Sequence, residues 1–317
     1  MEPIKLKGLY PQAYEHPDDA AALDALKQMP GFEPFVRKVN SWGIERLLRI
    51  QYTGSSLHVT KNAFPHLWDM LSTVIDRLSL PIRPELYVTS GEEINAFTAG
   101  VESPIIVFNR GTIEQLKDDE LMFVMAHEVG HIKSGHVLYY TIASYIPLII
   151  REMGGMIGNL VSQAMQIALL HWQRTSELTA DRAGLLCCQD SNAALRTTMK
   201  LAGMPHRLQE QWNIEEFIKQ AKDFDDMDSS TVDKLIKLYM GFQFTHPWVI
   251  HRAKEMLRWI ESGGYDRVLR LPYPLPTTRT VEKRFCDACG DLLKQGSHFC
   301  NRCGQKVDSL PNSAGQP

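Results

Sequence analysis

The feature that most constrains this chain is an apolar, helix-forming segment that runs directly into ionisable side chains. Residues 121–126 are uninterrupted apolar sequence, and His127-Glu128-Val129-Gly130-His131 follows at once. The acids Asp118-Asp119-Glu120 precede the segment and suit the amino-terminal end of a helix. Because charged and imidazole groups are costly to bury without partners, the fold must supply partners or a metal for this helix.

The spacing within His127-Glu128-Val129-Gly130-His131 predicts a zinc site. Both histidines leave the same helix face and can bind one ion, with Glu128 beside them. Zinc would activate water and polarise a carbonyl, and Glu128 would be the general base. A chance surface helix is the alternative, since the bare pattern arises by coincidence in roughly a few per cent of sequences this long.

A catalytic zinc site takes three protein ligands, so one ligand must come from elsewhere in the chain. Glu177 is the candidate, in Arg174-Thr175-Ser176-Glu177-Leu178-Thr179-Ala180-Asp181. Helical spacing places Arg174, Glu177 and Asp181 on one face, where Asp181 could accept a hydrogen bond from a zinc histidine. Taken alone, a Glu-Asp pair of this kind is usually a solvated helix face.

Four segments in this order resemble the zinc metallopeptidases of the gluzincin group that are similar to HtpX and the CAAX prenyl proteases (peptidase family M48). They are Asn95-Ala96-Phe97-Thr98-Ala99-Gly100, the His127 to His131 motif, Glu177-Leu178-Thr179-Ala180-Asp181, and His246-Pro247 followed by Arg252.

The resemblance implies roles for residues of these segments. Glu177 becomes the third zinc ligand, Asp181 supports a ligand, and Asn95 and Ala96 bind the substrate backbone as an edge strand. His246 and Arg252 are implied as further catalytic residues, either steadying the oxyanion or orienting Glu177; which residue does which stays open.

Periodicity predicts an α+β fold that is mainly helical, with a small antiparallel sheet beside the helix of the histidine motif. Helices are expected over 17–29, over 62–80, from Asp118 into the motif, over 163–188, and onward to about Trp259. A packing role is expected for the first of them. Strands are expected over 46–52, 86–89, 95–99 and 105–108.

Residues 137–170 contain two long apolar runs, 137–150 and 153–170, separated by Arg151-Glu152. A membrane hairpin is one interpretation, because membrane members of the resembled family have clear transmembrane helices. Asn159, Gln163 and Gln166 make one helical face polar, which favours an amphipathic helix in a water-soluble protein. Peripheral membrane association through 137–170 is the remaining hypothesis.

The carboxyl-terminal cysteines predict a second, structural zinc. Cys286 and Cys289 form one Cys-x-x-Cys knuckle, and Cys300 and Cys303 form another. Four thiolates close a tetrahedral site and predict a small zinc ribbon, whereas a redox dithiol or an iron centre is less consistent with two knuckles at this distance. A protein partner is the milder hypothesis for the ribbon. Cys187 and Cys188 are expected to be packing thiols.

The proline-rich segment and the polar end of the chain predict the domain boundaries. Residues 1–265 are expected to form the metallopeptidase domain implied by the resemblance, with a core of about 60–260, followed by a proline-rich linker (266–282), the ribbon (283–306) and a disordered tail (307–317). The net charge of −3 gives no footprint for nucleic acid. Without a secretory signal pattern, the expected location is the cytoplasm, with membrane association as the alternative.

The leading functional prediction is a zinc metalloendopeptidase with one catalytic and one structural zinc, acting on unfolded or misfolded polypeptides. The alternative is a non-enzymatic adaptor that binds peptides and docks a partner through the ribbon. A third hypothesis is a quality-control protease at a membrane.

Overall fold

The structure is a computed structural model that describes residues 3–33, 35–36, 44–101, 103–143, 163–226 and 249–273. These residues belong to the first of the two units into which the chain divides, Met1–Leu275 and Pro276–Pro317. His246, the ribbon cysteines and most of the predicted linker and tail therefore lie outside the described residues, as do residues 144–162 of the apolar stretch.

Helices dominate the described part of the chain. The α-helices are α1 (Pro17–Gln28), α2 (Ile44–Ser55), α3 (Pro65–Leu78), α4 (Arg110–Gln115), α5 (Asp118–Lys133), α6 (Gln163–Cys188), α7 (Ser191–Leu201), α8 (Ile214–Asp226), α9 (Val249–Glu261) and α10 (Gly264–Leu269). Short 3-10 helices span Pro11–Ala13 and His206–Gln211. The helices predicted over 17–29, 62–80 and 163–188 and the start of α5 at Asp118 are thereby confirmed.

A four-stranded sheet lies beside α5, but it is mixed and not antiparallel as predicted. Its strands are β1 (Leu57–His58), β2 (Glu85–Thr89), β3 (Ala96–Ala99) and β4 (Ile105–Asn109), in the order β1-β2-β4-β3. Strand β4 pairs in parallel with β2 and antiparallel with β3. The prediction failed because it assumed that strands adjacent in sequence would also pair.

Strand β4 is one of the two inner strands, and every one of its residues is buried. Its side chains alternate between the two faces of the sheet. Ile106 and Phe108 join the main core with α3 and α5, whereas Ile105 and Val107 join a smaller cluster with Leu48 of α2. Helices therefore cover both faces of β4, and strand β3 is left at the edge of the sheet.

Residues 46–52 form part of helix α2, so the strand predicted there is wrong. Leu48 is buried and Tyr52, one helical turn later, packs partly buried in the same cluster. Leu47 and Ile50 are 65% and 62% exposed. The density of apolar residues favoured a strand, but the residues that pack into the cluster, Leu48 and Tyr52, are four residues apart, which is the spacing of a helix face.

Helix α1 packs on the first half of α6 and forms a separate apolar cluster. Leu26 and Phe35 belong to the same cluster as Trp172 and Leu169 of α6, and all four are fully buried. His16 caps α1 by accepting a hydrogen bond from the Asp18 N–H at 3.2 Å. The amino-terminal segment is thus fixed against the helix that bears Glu177.

Candidate metal centre

Helix α5 brings the two histidines of the motif together. Their ring centroids lie 4.9 Å apart, and the two Nε2 atoms are 3.2 Å apart. His127, Glu128 and His131 are all buried, in a helix whose start is fixed by the Lys117 N–H donating to the Glu120 carboxylate at 2.8 Å. Two imidazole nitrogens therefore point at one location.

Helix α6 adds Glu177 to this location because the two helices approach closely. A Cβ atom built on Gly130 would lie 2.6 Å from the Cβ of Ala183 and 3.3 Å from the Cα of Ala180. Only small residues fit at such a crossing, and the glycine within the histidine motif is one of them. This packing sets the separation between the histidines and Glu177.

The three side chains form a group that fits zinc. One ligand atom from each of His127, His131 and Glu177 lies within 4.8 Å of the others. The Glu177 oxygens are 3.4 Å from His127 Nε2 and 3.4 Å from His131 Nε2. Ligands about 2.0–2.1 Å from a tetrahedral centre are separated by about 3.4 Å, and two imidazoles with one carboxylate form a catalytic donor set.

The electrostatic environment favours a cation. Burial by itself lowers the pKa of His127, but hydrogen bonds to Asp181 and Glu177 raise it to about 9. The pKa of His131 is lowered, because burial and the neighbouring His127 outweigh the attraction of Glu177. The raised pKa of His127 shows that Asp181 and Glu177 stabilise positive charge at this location.

Asp181 and Arg252 contact His127 and Glu177 of this cluster. Asp181 Oδ1 lies 3.0 Å from His127 Nδ1. Arg252 of α9 donates to both Asp181 oxygens, at 2.8 Å and 2.6 Å, and its third nitrogen is 3.2 Å from Glu177. Burial opposes ionisation of Asp181, yet Arg252 lowers the pKa of this carboxyl, and the two carboxylates raise that of Arg252. Of the two roles left open for Arg252, this geometry matches orienting Glu177.

A cavity of 390 Å³ opens over the cluster. Strand β3 forms one wall, and α5, Glu177 and Arg252 form the other. The predicted substrate-binding residues Asn95 and Ala96 line the cavity on the strand side. The structure thus brings together all the predicted site residues that it describes in the first unit.

Sequence reasoning missed several side chains at this site. Thr98 donates from Oγ1 to the Glu128 carboxylate at 2.7 Å. Tyr140 lines the cavity with its ring centroid 5.2 Å from that of His131. His136 contacts His131, and Asp19 contacts His136. The position of His136, five residues after His131, was a usable signal, whereas nothing in the sequence marked Asp19.

Two further predictions concern other parts of the chain. Cys187 and Cys188 are free, and burial raises the pKa of each thiol to about 12, as expected for packing residues. Across the described ranges, no helix has both the length and the apolar character needed to cross a bilayer.

Comparison with known proteins finds a match to the family model Peptidase family M48 over residues 62–260. The chain is 31% identical over 272 residues to plastoglobule-localized metallopeptidase 48, chloroplastic, of Arabidopsis thaliana. The aligned residues cover 85% of this chain and 78% of that relative.

Two bacterial proteins named as homologues of the protease HtpX are also similar. The Gemmatimonas aurantiaca protein is 31% identical over 125 residues, covering 39% of this chain and 41% of its own. The Helicobacter acinonychis protein is 23% identical over 215 residues, covering 60% and 65%.

Proposed function

This chain belongs to peptidase family M48 and is a zinc-dependent protease, and on that premise we propose that it is an endopeptidase acting on unfolded or misfolded polypeptides. The observation that supports this most is the position of the sheet edge. Strand β3 lines the same cavity as His127, His131 and Glu177.

The metal would be held by His127, His131 and Glu177. When bound, zinc supplies a Lewis acid that activates water and polarises the peptide carbonyl. Glu128 is the general base in this proposal: its carboxylate takes a proton from the attacking water and delivers it to the leaving amine. Thr98 holds that carboxylate through the 2.7 Å hydrogen bond.

Arg252 and Asp181 act in this proposal by holding ligands and not by touching substrate. The guanidinium of Arg252 fixes both Glu177 and Asp181, and Asp181 holds the His127 ring through Nδ1. Hydrogen bonds of this kind set the tautomer and orientation of a metal-binding histidine. His246, which lies outside the described residues, stays a proposed catalytic residue.

The pairing of β3 with β4 identifies which main-chain groups of the strand face outward, where a substrate would pair. The Asn109 N–H donates to the Asn95 carbonyl at 3.0 Å, and Thr112 contacts both the Asn95 N–H and the same carbonyl. In an antiparallel pair the inward and outward groups alternate. The N–H and C=O groups of Ala96 and Thr98 therefore point away from β4.

We accordingly assign the main-chain contacts with substrate to Ala96 and Thr98, with Asn95 contributing its side chain to the cavity wall. A peptide added to this edge would be extended and recognised largely through its backbone. Unfolded chains offer extended segments with unpaired main-chain groups far more often than folded proteins do, which is why the proposed substrates are unfolded.

The experiment that tests this function is Glu128→Gln in the zinc-loaded protein. Loss of a general base lowers turnover by about 10²–10⁴-fold, so cleavage of casein should nearly stop while zinc is retained. Asp118→Asn is the matched control, because Asp118 lies in the same helix and its side chain is 75% exposed. Undiminished cleavage by the Gln variant excludes this mechanism; peptide binding without cleavage by the wild type would favour the adaptor.

A structural zinc at Cys286, Cys289, Cys300 and Cys303 is also part of the proposal, as is a protein partner for that ribbon. The wild type is expected to hold about two zinc ions per chain, and Glu177→Ala and Cys286→Ser about one each. A cytoplasmic location and peripheral membrane association through 137–170 are tested by cell fractionation.

A further inference from the structure

The second zinc histidine has a buried partner on the side away from the cavity. His131 Nδ1 lies 3.1 Å from His136 Nδ1, and His136 Nε2 lies 3.1 Å from Asp19 Oδ2. The exposed fractions of His131, His136 and Asp19 are 5%, 1% and 0%. A continuous chain of polar contacts therefore links His131 to helix α1.

Zinc binding would fix the direction of hydrogen-bond donation along this chain of contacts, from His131 through His136 to Asp19. With the metal on Nε2 of a neutral His131, the ring proton is on Nδ1 and must be donated. His136 Nδ1 must then accept it, so the proton of His136 is on Nε2 and is donated to Asp19. By accepting this proton, Asp19 stabilises the tautomer of His136 that can accept from zinc-bound His131.

Other contacts make Asp19 an acceptor only. Trp172 donates from Nε1 to Oδ1 at 2.9 Å, and Thr179 donates from Oγ1 to Oδ2 at 2.6 Å. The Thr179 hydroxyl itself accepts the His16 N–H at 3.0 Å. With His136, three donors converge on one buried carboxylate, which satisfies a group that would otherwise be costly to bury.

We propose that Asp19 and His136 are positioning residues that hold His131 in the tautomer and orientation that zinc requires, which makes helix α1 part of the metal site. The proposal rests on zinc binding by His127, His131 and Glu177. Asp19 precedes residues 62–260, which the family model covers. The packing role expected for α1 is therefore only part of its function.

The arrangement predicts an unusually specific effect of Asp19→Asn. Trp172 can only donate, so the Asn oxygen must face Trp172 and the Asn amide must face His136. His136 then accepts at Nε2 and carries its proton on Nδ1. That proton meets the Nδ1 proton of zinc-bound His131, so the substitution opposes metal binding although it barely changes the size of the side chain.

The test is the zinc dissociation constant of the full chain, measured by competition with a chelator at constant pH. Asp19→Asn is expected to weaken the affinity about 10–100-fold, the range for a lost partner of a metal histidine. Asp18→Asn is the matched control, since this neighbour in the same helical turn is 69% exposed and should bind as wild type. Zinc held by the predicted ribbon is common to all variants and cancels.

A double variant separates positioning from loss of stability. In a His136→Phe background no ring nitrogen transmits the change, so adding Asp19→Asn should weaken zinc affinity no further. A merely structural effect of Asp19 would add to that of His136→Phe. Full additivity, or Asp19→Asn binding zinc as tightly as Asp18→Asn, overturns the proposal.

His136→Asn provides a test that does not depend on folding of the Asp19 variant. Its side-chain oxygen can accept the proton of His131 Nδ1, so it should bind zinc more tightly than His136→Phe and keep the visible spectrum of the cobalt-substituted wild type. Equal affinities for the two variants contradict the proposal. Failure of the metal site itself is distinguishable, because Glu177→Ala would then bind as much zinc as the wild type.

Discussion

The helical wall of the cleft carries a cluster of buried charged side chains among apolar ones, whereas the β3 wall offers main-chain groups at the edge of the sheet. On the helical side, Arg252, Asp181 and Glu177 form an ion cluster in which every member is at most 8% exposed. On the strand side, the outward groups are the N–H and C=O of Ala96 and Thr98. The walls meet at the hydrogen bond from Thr98 to Glu128.

Under the proposed function, the helical wall carries out the chemistry and the strand wall binds the substrate. A wall of buried charges depends on the identity of each side chain, because removing one partner leaves another charge uncompensated. An edge strand depends on backbone geometry and accepts many sequences. We therefore expect substitutions in the helical wall to act on stability and turnover, and changes to the main-chain pairing at the strand to act on substrate binding.

The largest expected effect is that of Arg252→Met. Glu177 and Asp181 would lose their shared cation, and breaking a buried pair of this kind costs about 3–5 kcal/mol. The free energy of unfolding of the metal-free protein should fall by that amount, and kcat/KM of the zinc form should fall about 10–100-fold. Denaturant unfolding and peptide cleavage measure the two quantities.

The matched control for this prediction is Arg258→Met. Arg258 lies in the same helix and pairs with Glu255, but its side chain is 59% exposed. Its replacement should change the unfolding free energy by about 0–1 kcal/mol, as for surface ion pairs. Arg252→Lys keeps the charge without the planar fork and should lie between the two. If Arg252→Met and Arg258→Met lowered the unfolding free energy equally, the buried ion cluster would not stabilise the protein more than a surface ion pair does.

A smaller effect is expected for Thr98→Val, which removes the hydrogen bond from the strand to the Glu128 carboxylate. Hydrogen bonds to charged groups contribute about 1.5–3 kcal/mol, and water entering the cleft should replace part of this. We expect kcat to fall about tenfold with little change in KM, because Glu128 and not the substrate loses a partner. Thr98→Ser keeps the hydroxyl and should retain most of the activity; a Val variant with wild-type kcat would show that Glu128 needs no support from the strand.

The helical wall was largely predictable from sequence. Helical periodicity fixes which residues share a face, so the spacing of His127 and His131 and that of Glu177 and Asp181 already implied their geometry. The approach of the two helices was less evident. It depends on the fit of Gly130 against Ala180 and Ala183, which periodicity does not contain.

The strand wall and helix α1 were less predictable. Local patterns identified the strands, but the order of β4 and β3 depends on which strand the surrounding helices bury. Asp19 resembles an ordinary first-turn acid beside Asp18, and only the packing of α1 on α6 makes it a buried partner of His136. Long-range packing, which no short window of sequence records, decides both cases.

The smallest effects are expected from altering the substrate and leaving the protein intact. Once a cleavage site in casein is mapped, a peptide spanning it can be made with a single N-methyl group at successive positions. Because a strand presents every second residue to its neighbour, only alternate positions pair with Ala96 and Thr98. Each lost hydrogen bond contributes about 0.5–1.5 kcal/mol, so methylation at those positions should lower kcat/KM by roughly twofold to tenfold. Methylation between them should have little effect beyond steric cost.

Alanine replacement along the same peptide should show no such alternation if recognition is through the backbone. A uniform response to methylation, or an alanine series with larger effects than the methyl series, would contradict edge-strand binding and shift specificity to side-chain pockets.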